Sequence, residues 1–147
     1  KRFRKEIMTL IDFYSGSNDK LLTVCRLSAK AIQQNLKITI YTPDTKIADQ
    51  LDSLLWNFSS TAFIPHCRVE DKIAFETPVT ISQNEEPLPH DNILINLHDR
   101  HPPFFSRFLR LIEISGTTDE DTEAARVRYR FYKDRGYEIR HHKLRSA

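Results

Sequence analysis

Apolar residues along this chain fall into two alternating patterns: short runs of branched and aromatic side chains, and longer stretches in which they recur every three or four residues. The first pattern suits strands and the second suits the buried stripe of a helix. Ile7-Met8-Thr9-Leu10-Ile11-Asp12-Phe13-Tyr14 reads as a strand that stops at the turn residues Ser15-Gly16-Ser17-Asn18. From Asp19 to Asn35, Leu21, Val24, Cys25, Ser28, Ala31 and Ile32 share one helical face. Ile38, Ile40 and Tyr41 give a second strand, and Asp44-Thr45-Lys46 opens a helix with Ile47, Ala48, Leu51, Leu54, Leu55 and Phe58 on its inner side.

Ala62 to His66 and Val79-Thr80-Ile81 read as short strands between loops, and Asn92-Ile93-Leu94-Ile95-Asn96-Leu97 is apolar enough for a central strand covered on both faces. Pro102-Pro103 predicts a helix start with Phe104, Phe105, Phe108 and Leu109 turned inward, followed by a strand over Leu111-Ile112-Glu113-Ile114. Thr117 to Asp121 supplies a cap and first-turn acids for a helix that runs to about Arg135, where Gly136 stops it, and Tyr137 to Arg140 gives a last strand. This alternation predicts a three-layer α/β domain with a mainly parallel sheet and helices on both faces, one domain over residues 1–147.

The chain is 39% hydrophobic and 29% charged, with nine Phe and five Tyr, which is the make-up of a globular protein. Cys25 and Cys67 belong to no Cys-x-x-Cys pair, and no stretch approaches a membrane span, so a reduced, cytoplasmic protein is expected. Lys1-Arg2-Phe3-Arg4-Lys5 is not followed by the apolar run of a secretory signal.

Catalytic patterns are missing. The turn after the first strand carries one Gly where a dinucleotide fingerprint needs three, no Gly-Lys-Ser/Thr occurs, and neither Gly-x-Ser-x-Gly nor His-Glu-x-x-His is found. The pairs His98/His101 and His141/His142 lack further ligands at useful spacing and read as solvated, and His66 reads as a hydrogen-bonded structural histidine. Neither a cofactor nor a metal is expected.

Several blocks occur in a characteristic order: Leu51-Asp52-Ser53-Leu54-Leu55-Trp56, Phe63-Ile64-Pro65-His66, Pro78-Val79, Leu94-Ile95-Asn96-Leu97, and Ala125-Arg126-Val127-Arg128-Tyr129-Arg130-Phe131-Tyr132-Lys133 with Gly136-Tyr137. In that order they resemble the chi subunit of bacterial DNA polymerase III holoenzyme. The resemblance implies a Rossmann-like fold and an accessory subunit of the clamp-loader complex without catalysis of its own. It further implies a bridge between the psi subunit and the acidic C-terminal tail of single-stranded-DNA-binding protein, which ends in a Pro-Phe carboxylate. Contact with single-stranded DNA is then indirect, and the chain is a monomer or a heterodimer with psi.

An acidic peptide with a terminal Phe requires a guanidinium and an aromatic slot on one rigid element. The family match points to Arg126 and Tyr129, and helical spacing adds Arg130 and Lys133 to the same face, with Arg128 also counted among the tail-binding candidates. From Thr122 to Ala147 eight bases face three acids, a local excess of +5 hidden in a total of +2. Two positions depart from the family pattern: Thr122 replaces a base, and Ser115 replaces an apolar wall, which leaves a shallower slot or one built from Ile114 instead. The resemblance points Phe63, Ile64 and Pro65 to the partner subunit, and Trp56, on the flank of its helix, is grouped with them as an anchor, with the tail and the core as its other possible places. The competing expectation is a direct binder of single-stranded nucleic acid that stacks bases on Tyr129 and Tyr132.

Overall fold

The computed structural model describes residues 8–58, 64–84 and 88–144. Within them, β1 (Leu10–Ser15), α1 (Lys20–Gln33), β2 (Ile38–Tyr41), α2 (Thr45–Asn57), β3 (His66–Arg68), β4 (Val79–Ser82), β5 (Ile93–Asn96), β6 (Arg110–Ile114), α3 (Asp119–Asp134) and β7 (Ile139–Lys143) follow in order. The strands form one sheet in the order β3-β4-β2-β5-β6-β1-β7, and every pairing is parallel. The apolar strand β5 is its middle member, as its sequence predicts.

Helix ends follow local chemistry. Asp19 and Asp44 cap α1 and α2 by accepting from the N–H groups of Leu22 at 3.1 Å and Ile47 at 2.9 Å. Asn35 takes a left-handed φ of 59° after α1, and Leu36 N and Asn35 N close onto the carbonyls of Ala31 and Ile32, the bonding pattern of a Schellman turn.

The sheet carries a different core on each face. Ile38, Ile40, Ile81, Ile95 and Ile112 point toward Val24 and Cys25 of α1 and Leu51 and Leu55 of α2. On the reverse face Ile11, Phe13, Leu94 and Leu111 meet Ala125 and Tyr132 of α3 together with Phe104, Phe105 and Phe108. The predicted helix after Pro102-Pro103 is only a single 3₁₀ turn, Phe105–Arg107. Residues 97–109 link the neighbouring strands β5 and β6, and the three buried Phe rings fill the layer without a helix. Leu109 is exposed, contrary to the inward position expected. The last strand also lies a few residues later than its sequence suggests, because Tyr137 and Glu138 still belong to the turn after α3.

Two buried acids interrupt these cores. Asp12 in β1 accepts from Arg110 Nε, from Arg140 Nε at 2.8 Å and Nη2 at 3.0 Å, and from His142 Nε2 at 2.8 Å. Its carboxylate therefore ties β1 to both neighbours and secures β7, which brings few apolar side chains of its own. Burial alone would raise the Asp12 pKa, but the hydrogen bonds from Arg140, His142 and Arg110 outweigh it and hold the carboxyl at about 2. Glu113 in β6 is the second such acid, and it organises the opposite face.

Candidate functional site

Helix α3 carries all five candidate tail-binding residues, and several devices fix its position. Thr118 Oγ1 accepts from Asp121 N at 3.1 Å, and Asp119, Glu120 and Asp121 place negative charge at the positive end of the helix dipole. Asp121 also accepts from Gly116 N and pairs with Lys20 Nζ at 3.2 Å. At the far end Gly136 adopts φ 81°, and Gly136 N and Tyr137 N close onto the carbonyls of Lys133 and Tyr132.

The inward stripe of α3 is Ala125, Arg128 and Tyr132. Arg128 is 2% exposed; its Nε donates to Glu113 Oε1 at 2.9 Å and its Nη1 to the carbonyl of Asp99 at 2.8 Å. Tyr132 donates its phenol to Glu113 Oε2 at 2.5 Å, and Asn96 Nδ2 donates to both carboxylate oxygens at 3.2 and 3.1 Å. Burial raises the Glu113 carboxyl, against the pull of Arg128, Tyr132 and Asn96, and it raises the Tyr132 phenol, which Glu113 raises further.

This network corrects the sequence reading twice. Arg128 is a core cation spoken for by Glu113 and cannot reach a tail peptide at the surface, because it lies on the stripe of Ala125 and Tyr132. Tyr132 is fully buried and offers no ring for stacking a base. Ile114, proposed as a replacement pocket wall for Ser115, is buried on the other face with the α1 and α2 core, so it cannot line a slot beside α3.

The remaining four candidates do share the outer face of α3. Arg126, Arg130 and Lys133 are exposed and Tyr129 is half-buried among them, its ring edge-on to Phe13 with centroids 5.6 Å apart. Arg126 meets Glu123 at 3.3 Å, both side chains 69% exposed, a surface pair of the kind that contributes little and yields readily to another carboxylate. Among the described residues, no side-chain hydrogen bond or ion pair holds Arg130 or Lys133.

Register extends this face onto the sheet edge. Phe13 pairs with His141 and Ser15 with Lys143, so these two basic residues of β7 lie on the side of the sheet that α3 covers. His141 is fixed by Ser15 Oγ at 2.7 Å. Neither is among the tail-binding candidates from sequence, because the last strand is expected there to end at Arg140; the alternation in Ile139-Arg140-His141-His142-Lys143 is the available signal.

The residues assigned to a partner subunit divide differently. Trp56, in the last turn of α2, is 57% exposed and so is not a core tryptophan. Its indole stands edge-on to His66 at 5.1 Å; His66 in turn lies 3.0 Å from Asp52 Oδ1 and 2.7 Å from the Ile64 carbonyl. Thus His66 is a structural brace between α2 and β3, as expected. Pro65 is half-buried. Ile64 is 2% exposed and belongs to the α1/α2 core, which removes it from any docking surface; its place in a short strand approach gives no hint of which way it faces. Phe63 lies outside the described residues.

The carboxyl end of the sheet, where open α/β folds hold ligands, is stitched shut between β1 and β6. Ser17 N donates to Ser115 O at 2.9 Å, Ser115 N to Tyr14 O at 2.8 Å, and the Lys20–Asp121 pair closes above them. Asp19 already occupies the α1 N-terminus with a carboxylate, in the place a phosphate would take. Among the described residues no group of three or more His, Cys, Asp or Glu converges, and no helix is long and apolar enough to cross a membrane.

Residues 8–140 match the family model described as DNA polymerase III chi subunit, HolC. DNA polymerase III subunit chi of Pseudomonas aeruginosa is 35% identical over 141 residues, covering 93% of this chain and 98% of that protein. The same-named subunit of Haemophilus influenzae is 27% identical over 132 residues, covering 86% of this chain and 92% of that protein. That of Escherichia coli is 26% identical over 117 residues, covering 79% and 80%.

Proposed function

The chain belongs to the DNA polymerase III chi subunit family, and on that premise we propose that it is a non-catalytic bridge in the bacterial replication complex, joining the psi subunit to the acidic C-terminal tail of single-stranded-DNA-binding protein. It works in the cytoplasm without a cofactor and contacts single-stranded DNA only through that partner. The observation that carries the tail-binding half is the outer face of α3, where Arg126, Arg130 and Lys133 gather at the surface around the edge of Tyr129. Guanidinium groups can take aspartates and a terminal carboxylate. The phenol, propped on Phe13, offers a ring edge to a terminal Phe.

Lys143 extends the positive field along the sheet edge in the direction an extended peptide would run, with His141 beside it. The psi-binding half rests on Trp56, an exposed indole steadied by His66 at the end of α2, with Pro65 beside His66 in sequence and Phe63 just upstream. An aromatic anchor of this kind suits an apolar partner helix.

The test is a titration with a short acidic peptide ending in Pro-Phe. Arg126→Ala is expected to weaken binding by about tenfold or more with an unchanged melting temperature, and wild-type binding should fall as salt rises. Unchanged affinity in that variant would overturn the assignment. Tight binding to an oligonucleotide without any protein partner would instead favour direct nucleic-acid binding, a reading that Tyr132 no longer supports.

A further inference from the structure

A single exposed apolar side chain is ordinary on a protein surface, but the turn before β4 holds two of them on a rigid mount. Phe75 is 72% exposed and Ile73 is 56% exposed, on either side of the buried Ala74, in the 3₁₀ turn Ala74–Glu76 and the residue before it. Every carbonyl from Ile73 to Phe75 is occupied. Ile73 O accepts from Glu76 N at 3.0 Å and Thr77 Oγ1 at 2.8 Å; Ala74 O accepts from Thr77 N at 3.2 Å and His90 Nε2 at 3.0 Å. Phe75 O accepts from Lys37 Nζ at 3.4 Å, and the buried His90 also reaches Thr77 O at 2.9 Å. The turn is thereby pinned to the segments that precede β2 and β5, so the backbone that presents the two side chains has little conformational freedom left to lose on docking.

The charge around this knuckle is of one main sign. Glu70, Asp71, Glu76 and Asp91 are all exposed, against Lys72 and Lys37, and the Lys37 ammonium is turned onto the Phe75 carbonyl. The knuckle is also remote from the α3 face: α3 packs over β6 and β1 through Glu113 and Phe13, whereas β2 and β5 separate β4 from those strands.

We infer that the Ile73–Phe75 knuckle is a further protein-docking surface, and that its occupant is another subunit of the polymerase assembly offering an apolar pocket with a lysine- or arginine-rich rim. Convex apolar side chains on a preorganised turn fit a pocket, and the acidic surround selects a basic rim. The inference uses family membership only, and does not depend on the tail-binding role of α3.

The experiment measures the affinity of the whole chain for the remaining purified subunits of its own polymerase III assembly, at low and high salt. The double substitution Ile73→Ser with Phe75→Ser, at exposed positions that leave the fold intact, is expected to weaken association by about tenfold. Charge reversal by Glu76→Lys with Asp91→Lys should weaken it comparably at low salt and less at high salt. Affinity for the acidic Pro-Phe peptide should stay unchanged in both, which separates this surface from the α3 site. Unaltered association with the other subunits would overturn the inference. So would sedimentation showing that the wild-type chain self-associates through Phe75, since the occupant would then be a second copy.

Discussion

Glu113→Ala should lower the unfolding free energy by about 3–5 kcal/mol, the range found when one member of a buried ion pair is removed. The loss comes mainly from what stays behind. Arg128, 2% exposed, keeps its charge and is left with only the Asp99 carbonyl among its present hydrogen-bond partners, and Tyr132 loses its acceptor in the same stroke. Replacing both charges with apolar residues of similar size, Glu113→Leu with Arg128→Met, should recover most of that loss, because no unpaired charge remains buried. Urea unfolding of Glu113→Leu, Arg128→Met and the double variant measures the coupling. A Glu113→Ala cost below about 1 kcal/mol, or a double variant as unstable as the sum of the singles, would contradict this account of the α3 attachment.

The second large effect concerns acid stability. The Asp12 carboxyl has a folded-state pKa of about 2 against an ordinary 3.8, so its ion pairs stabilise the fold above pH 3.8 and are lost as pH falls toward 2. That shift corresponds to about 2 kcal/mol. Asp12→Asn should therefore be less stable than wild type near neutral pH, and the difference should shrink steadily through the acid window. Unfolding curves collected from neutral pH down to that window provide the check. A gap that stays constant with pH would mean that the substituted amide fails for packing reasons and that the charge on Asp12 contributes nothing of its own.

These two acids also show what the sequence makes legible and what it hides. Strand β3 lies at His66–Arg68 and not over Ala62 to His66, whereas strands β1, β2, β4, β5 and β6, the three helices and their caps are readable because period, Asp19, Asp44, Thr118 and Gly136 all act locally. The 3₁₀ turn at Phe105 is not, since a run of inward aromatic residues looks helical whether or not the chain is long enough to wind. Arg128 is misplaced for a different reason. A basic residue on a helix is normally solvated, and only the acid in the middle of the apolar strand Leu111-Ile112-Glu113-Ile114 demands a buried cation from elsewhere. Asp12, between Ile11 and Phe13, makes the same demand, and Arg110 and Arg140 answer it. Pairing of this sort depends on strand order, which no local pattern encodes. Trp56 behaves as its flanking position on α2 suggests, whereas the neighbouring Ile64 turns inward to the core.

On α3, two arginines close in sequence face opposite ways, and that contrast provides the most direct test of the central claim. The acidic Pro-Phe peptide should be titrated into the isotope-labelled chain while the arginine side-chain Nε–H signals are followed by NMR. Signals of Arg126 and Arg130 should move with peptide, together with the backbone amides of Tyr129, Lys133 and His141, while Arg128, locked onto Glu113, stays still. Movement of Arg128 alone, or shifts confined to the surroundings of Trp56 and His66, would contradict it.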